Sequence, residues 1–256
     1  MNLFFDTEFT GLVPKTELIS IGIVAETGES YYAELCDYDI HKCDDWVKEN
    51  VIANLLCNQD RVITSKDLNG THYIFGNTLE VRHDLNNWLD MLRKNHGKVT
   101  FQMVSDCCHY DMTLFCDLMG GAEGLPKDMN PICFDLSHMI MDECFVGVGN
   151  NYVLSHNMKE AFDMSRKEFV ESRIGKCVCL FGGRAQEHNA LYDAMLIMMM
   201  YNCLYYQKYH HLFNEHAKIE DIGRLDRYDP AYIEEAGRRS ENVIEERASC
   251  GKLISI

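Results

Sequence analysis

The chain has 256 residues, 46% of them hydrophobic, and carries 40 acidic against 24 basic side chains for a formal charge of −16. That length supports one large domain with insertions and a sizeable core, while the acidic balance argues against broad nonspecific capture of duplex nucleic acid. No apolar run approaches the roughly 18 residues of a membrane span, and the first residues read as a strand rather than a secretion signal, so a soluble, non-exported, cytoplasmic protein is expected.

In chain order, the pattern predicts strands from Asn2 to Asp6, Glu17 to Glu26 and Ser30 to Leu35, with turns at Val13-Pro14-Lys15 and Thr27-Gly28-Glu29. A helix is expected from Asp44 to Leu56, then a polar, irregular excursion from the core over about 57–77. Thr78 reads as the N-cap of a long amphipathic helix reaching about Lys94, with Leu79, Leu85, Trp88, Leu89 and Leu92 on one face. KVTFQMV reads as a buried strand and HYDMTLFCDLM as a helix stopped at Gly120-Gly121. ICF and DLSHMIMDE follow as strand and helix, Met158 to Glu171 as a further helix, and ALYDAMLIMMMYNCLYYQ as a long one. Asp229-Pro230 and Cys250-Gly251 bracket a last helix in a charge-rich tail. Strands alternating with helices imply an α/β layer structure. The expected organisation is a domain over 1–213 with insertions at about 57–77 and 147–183, and a charged helical extension over 214–256.

The 12 cysteines are spread through the chain, and Cys107-Cys108 and Cys177-Val178-Cys179 lack the two-residue gap of zinc knuckles. Free thiols are expected. Between Lys159 and Arg184, six basic residues stand against four acidic ones, which suits either a local phosphate contact or a solvated helix face.

FFDTEFTGL places Asp6 and Glu8 two apart at the end of a buried strand, so both carboxylates face one side, within reach of one hard cation. Solvated surface carboxylates share that spacing. VSDCCHYDMTLF adds Asp111 in the first turn of a helix, and EHNALYDAML sets His188 in a loop with Asp193 five residues on. Asp193 stands out on otherwise apolar helical turns, where a buried carboxylate is costly unless a cation compensates it.

DTEF, then YD with apolar followers, then H-x4-D with alanine after the aspartate, resembles the three exonuclease motifs of the DEDDh branch of the DEDD superfamily. More narrowly, FFDTEFTGLVPKTELISIGIVAETGESYYAE, DWVKENVIANL, VSDCCHYDMTLFCDLMGGAEGLP and EHNALYDA resemble the ribonuclease AS group of bacterial and phage exoribonucleases, from about Asn2 to Tyr206. The resemblance implies a ribonuclease H-like mixed sheet flanked by helices, and 3′–5′ hydrolysis of single-stranded RNA or RNA 3′ ends with two Mg2+ or Mn2+ ions. It implies that Asp6 bridges both ions, Glu8 and Asp193 complete the first site, Asp111 holds the second, and His188 is the general base. Phe9 and Thr10 are expected to border the terminal nucleotide, and a homodimer is implied; the apolar set Tyr232, Ile233, Ala236, Val243 and Ile244 of the tail helix suits such an interface or docking of the tail on its own domain.

Where many relatives carry asparagine upstream of the second-motif aspartate, this chain has Asp106, which competes with Asp111 for the metal role; the helical register after it favours Asp111. Gly182-Gly183-Arg184 is a hinge before His188 or an ordinary turn. His109 and His138 read as helix-surface or partly buried histidines, Met198-Met199-Met200 as core packing, and Trp46 and Trp88 as base-stacking or core residues alike. Competing functions are a DNA exonuclease, a small-oligonucleotide phosphodiesterase, and a noncatalytic nucleic-acid-binding module.

Overall fold

The computed structural model describes residues 1–56, 71–138 and 188–202. Strands β1 (Asn2–Phe9), β2 (Leu18–Ala25) and β3 (Ser30–Leu35) form the expected meander, with β1 antiparallel to β2 and β2 antiparallel to β3. Every residue of β2 and β3 is buried, which accounts for their nearly unbroken apolar sequence.

The helix expected from Asp44 to Leu56 is in fact shorter. Helix α1 (Asp45–Asn50) starts at Asp44, whose carboxylate accepts the Val47 N–H at 2.8 Å, and a separate 3-10 turn covers Ile52–Asn54. The side-chain amides of Asn50 and Asn54 donate to the carbonyls of Trp46 and Asn50, a local competition that interrupts regular helix.

The excursion over 57–77 needs correction at its described end. Strand β4 (Thr71–Gly76) pairs parallel with β3 along the sheet edge, with Tyr73 and Ile74 packing on opposite faces. Its aromatic and β-branched residues supply the strand propensity, and its position after a polar stretch hides it.

Helix α2 (Thr78–His96) has Asn77 rather than Thr78 as its N-cap, in a reciprocal capping box with Glu80. Leu79, placed on the apolar face by its spacing, is 67% exposed; Val81 takes its place beside Leu85, Trp88, Leu89 and Leu92. Strand β5 (Gln102–Ser105) runs parallel to β1, and α3 (Cys108–Met119) ends where Gly120 turns left-handed at φ 93°. Strand β6 (Phe134–Asp135) pairs parallel with β5. The last described element is a helix over 190–202.

The six strands lie in the order β4-β3-β2-β1-β5-β6. This mixed sheet with flanking helices is an α/β fold consistent with the ribonuclease H-like architecture. Alternation along the strands sends Leu3, Phe5, Ile21, Ile23, Tyr31 and Ala33 to the face covered by α2 and α3. Phe4, Val24 and Tyr32 go to the opposite face, against Ala190, Leu191, Ala194, Leu196 and Ile197. The helices read over Met158 to Glu171 and 229–250, the insertion at 147–183, and the extension over 214–256 lie outside the described residues. Among the described residues, the six cysteines are free thiols and no helix is long and apolar enough to cross a membrane.

The helix over 190–202 meets the sheet backbone closely at Gly22. A Cβ there would lie 2.3 Å from the Ala190 carbonyl oxygen and 2.4 Å from the Leu191 Cα, so only glycine admits this approach. Gly22→Ala is expected to lower the unfolding free energy by about 1–3 kcal/mol through overpacking, measured by urea denaturation; an unchanged midpoint would contradict the contact.

Candidate active site

On β1, Phe4, Asp6 and Glu8 share the face on which the helix over 190–202 lies. Asp6 is 4% exposed and sits opposite Gly22, whereas Glu8, half-buried near the strand end, sits opposite Ser20. The Gly22 contact therefore brings the start of the helix down next to the row that contains Asp6.

Asn189 begins that helix as its cap, its Oδ1 accepting the N–H groups of Leu191 at 3.2 Å and Tyr192 at 3.3 Å. His188 precedes it with φ 65°, the single non-glycine residue in positive φ among the described residues. Its backbone N–H donates to Asp193 Oδ2 at 3.0 Å. The five-residue separation of His188 and Asp193 thus has a geometric meaning: the chain turns sharply at the cap, and the first helical turn returns the aspartate beneath the histidine. Glu8, His188 and Asp193 each offer an atom able to bind a cation, all within 4.8 Å of one another.

Asp111 enters from the opposite face. It lies in the first turn of α3, 6% exposed, and Oδ1 accepts the Thr7 N–H at 3.2 Å and the Thr7 hydroxyl at 2.5 Å, while Oδ2 accepts the Ser105 hydroxyl at 2.6 Å. Those bonds tie it to the residue between Asp6 and Glu8. Asp106 is half-buried just beyond β5. Thr7 and Ser105 escape a sequence reading because lone hydroxyl residues at strand ends carry no distinctive spacing. Neither Asp6 nor Asp111 belongs to the group within 4.8 Å.

Aromatic residues border the site on separate elements. Phe9 stacks on Tyr110 at 5.2 Å between ring centroids and 19° between planes. Trp46, 53% exposed on α1, meets the His188 ring edge-to-face at 4.9 Å and 75°. Trp88 is core. Thr10 is 1% exposed and its hydroxyl accepts the Glu17 N–H at 3.0 Å, which closes the β1–β2 connection. His109 and His138 are exposed, Met200 is core, and Met198 and Met199 pack against it. Gly182-Gly183-Arg184 lies outside the described residues.

Near Asp111, burial pushes the thiols of Cys108 and Cys133 above their ordinary range, helped by the charge of Asp135 on the first and by Cys108 on the second. Both remain protonated at neutral pH.

No family model matches the chain. It is 29% identical over 126 residues to proteins named 3′-5′ exoribonuclease in Mycobacterium tuberculosis strains CDC 1551 and H37Rv, a match covering 49% of this chain and 66% of theirs. The chain thus spans just under two thirds of the length of these curated relatives.

Because His188 occupies the left-handed region, a β-branched side chain there is strained while asparagine is tolerated. His188→Val is expected to cost about 1–2 kcal/mol of stability and His188→Asn much less, as read from urea denaturation of both.

Proposed function

We propose that this chain is a metal-dependent 3′–5′ exoribonuclease of the DEDDh type, akin to the ribonuclease AS group, releasing nucleoside 5′-monophosphates from RNA 3′ ends. The observation that carries the reading is the convergence of Glu8, His188 and Asp193 within 4.8 Å on a ribonuclease H-like sheet. The relatives named 3′-5′ exoribonuclease support RNA as the substrate class.

The donor set fits two Mg2+ or Mn2+ ions. Asp6, Glu8, Asp111 and Asp193 supply hard oxygen ligands, and Asp6 and Asp193 are 4% and 5% exposed, where a carboxylate needs compensation by a cation or by hydrogen bonds. When bound, such ions offset phosphate charge and make a nucleophilic water available at neutral pH. Within this reading Asp6, Glu8, Asp111 and Asp193 would hold the ions.

The remaining chemistry belongs to side chains. A ring nitrogen of His188 accepts the proton of the attacking water, and the Trp46 contact and the left-handed turn fix where that ring lies. Water adds to the terminal phosphorus, the bond from phosphorus to the 3′ oxygen breaks, and the products are a nucleoside 5′-monophosphate and an RNA shorter by one residue with a free 3′ hydroxyl. Phe9, stacked on Tyr110, offers an apolar surface to the terminal nucleoside.

The test uses 5′-labelled single-stranded RNA and the matching DNA, each with Mg2+, Mn2+ or chelator, beside Asp6→Ala. The expected result is a metal-dependent ladder shortening from the RNA 3′ end and absent from the variant; equal loss of DNA broadens the substrate, and no shortening of either polymer defeats the reading. Phe9→Ala is expected to raise KM by about tenfold, the scale of one lost aromatic stack, with the folded state retained. An unchanged KM removes Phe9 from the substrate site.

A further inference from the structure

Strand β3 carries a carboxylate where the packing calls for an apolar side chain. Glu34 is 1% exposed in a strand whose residues are all buried, a placement that is costly without strong hydrogen bonding. Its Oε1 accepts the Tyr32 hydroxyl at 2.8 Å and the Leu56 N–H at 2.6 Å. The Tyr32 oxygen in turn accepts Asn189 Nδ2 at 3.2 Å, and the same amide nitrogen donates to the Asn54 carbonyl at 3.1 Å. Asn189 is the cap that separates His188 from the helix bearing Asp193.

The polarity of this chain of bonds runs one way. Oε1 already accepts the Leu56 N–H, so the single Tyr32 proton points to that oxygen and leaves the Tyr32 oxygen as an acceptor. That directs the amide nitrogen of Asn189 toward Tyr32 and Asn54, and so turns Oδ1 toward the N–H groups of Leu191 and Tyr192. The register is fixed by the sheet. Glu8, Ser20 and Glu34 are cross-strand partners in one row, and Asp6, Gly22 and Tyr32 in the next. The carboxylates of the candidate site and the anchor of the cap are therefore spaced by the same two rows of backbone pairing.

We propose that Glu34 is a positioning residue, acting through Tyr32 and Asn189 to hold His188 and Asp193 in register with Glu8. The catalytic consequence rests on the exonuclease reading, while the positioning itself has an independent readout. Trp46 touches the His188 ring, so its fluorescence, isolated by subtracting the same protein carrying Trp46→Phe, reports the place of that ring without any substrate.

The experiment compares Tyr32→Phe and Glu34→Gln with Ser30→Ala on the same strand, which breaks a buried hydroxyl pair, 2.7 Å long, with Thr71 of β4 and apart from the site. Tyr32→Phe keeps the ring that packs against Tyr73 and removes the hydroxyl of the relay. Both relay variants are expected to move the Trp46 emission toward that of His188→Ala and to lower kcat on RNA by about tenfold or more, with KM within about twofold. Ser30→Ala is expected to lower the melting temperature and leave emission and kcat unchanged. An unmoved Trp46 signal in both relay variants overturns the proposal whether or not the wild type cleaves RNA. A moved signal in a wild type that cleaves nothing upholds the positioning and defeats the exonuclease reading alone.

Discussion

The close approach of a helix to one glycine on a central strand organises the candidate site. At Gly22 the missing Cβ lets the backbone of Ala190 and Leu191 settle onto the sheet. Any other residue would lift the helical start by the depth of a side chain, and close-packed interiors rarely accommodate such a shift locally. Gly22 is flanked by Asp6 on β1 and Tyr32 on β3. One contact therefore governs both the distance from His188 and Asp193 to the carboxylates of β1 and the reach of Asn189 to its partners on β3.

From that contact the site follows by capping chemistry. Asn189 satisfies the first free N–H groups of the helix, and Asp193 accepts the N–H of the residue before the cap. The partial positive charge of a helix N-terminus favours an anionic side chain in its first turn, which helps to hold Asp193 there at 5% exposure. Asp111 is secured by a different device, with hydroxyls of Thr7 and Ser105 on its two oxygens. The two faces of β1 thus present carboxylates by independent means, and the two can be perturbed separately.

Much of this is legible in the sequence because it depends on local spacing. The separation of Asp6 and Glu8 follows from strand alternation, His188 and Asp193 from a helical start, and Gly120 from a left-handed stop. The features that escape depend on partners distant in the chain. Leu79 has the spacing of a core residue, yet the stripe is set by where α2 meets the sheet, and Val81 is buried in its place. Strand β4 exists because β3 offers a free edge, which nothing local announces. The burial of Glu34 likewise depends on a distant partner, the helix over 190–202 that covers the face it shares with Tyr32, as the place of Thr10 depends on its hydrogen bond to Glu17.

The charge of the chain bears on how a nucleic acid would meet this site. At −16 overall, and with carboxylates gathered at the end of β1, the protein repels a polyanion in the absence of bound cations. On the exonuclease reading, divalent ions and the RNA terminus then bind with positive coupling, since each ion removes part of the repulsion that opposes the phosphate, and linkage requires RNA to tighten the ions by the same factor. On the same reading, preference for a chain end is a further consequence. A strand crossing the site would bring many phosphates against its carboxylates, whereas a terminus would bring its last phosphate to the bound ions.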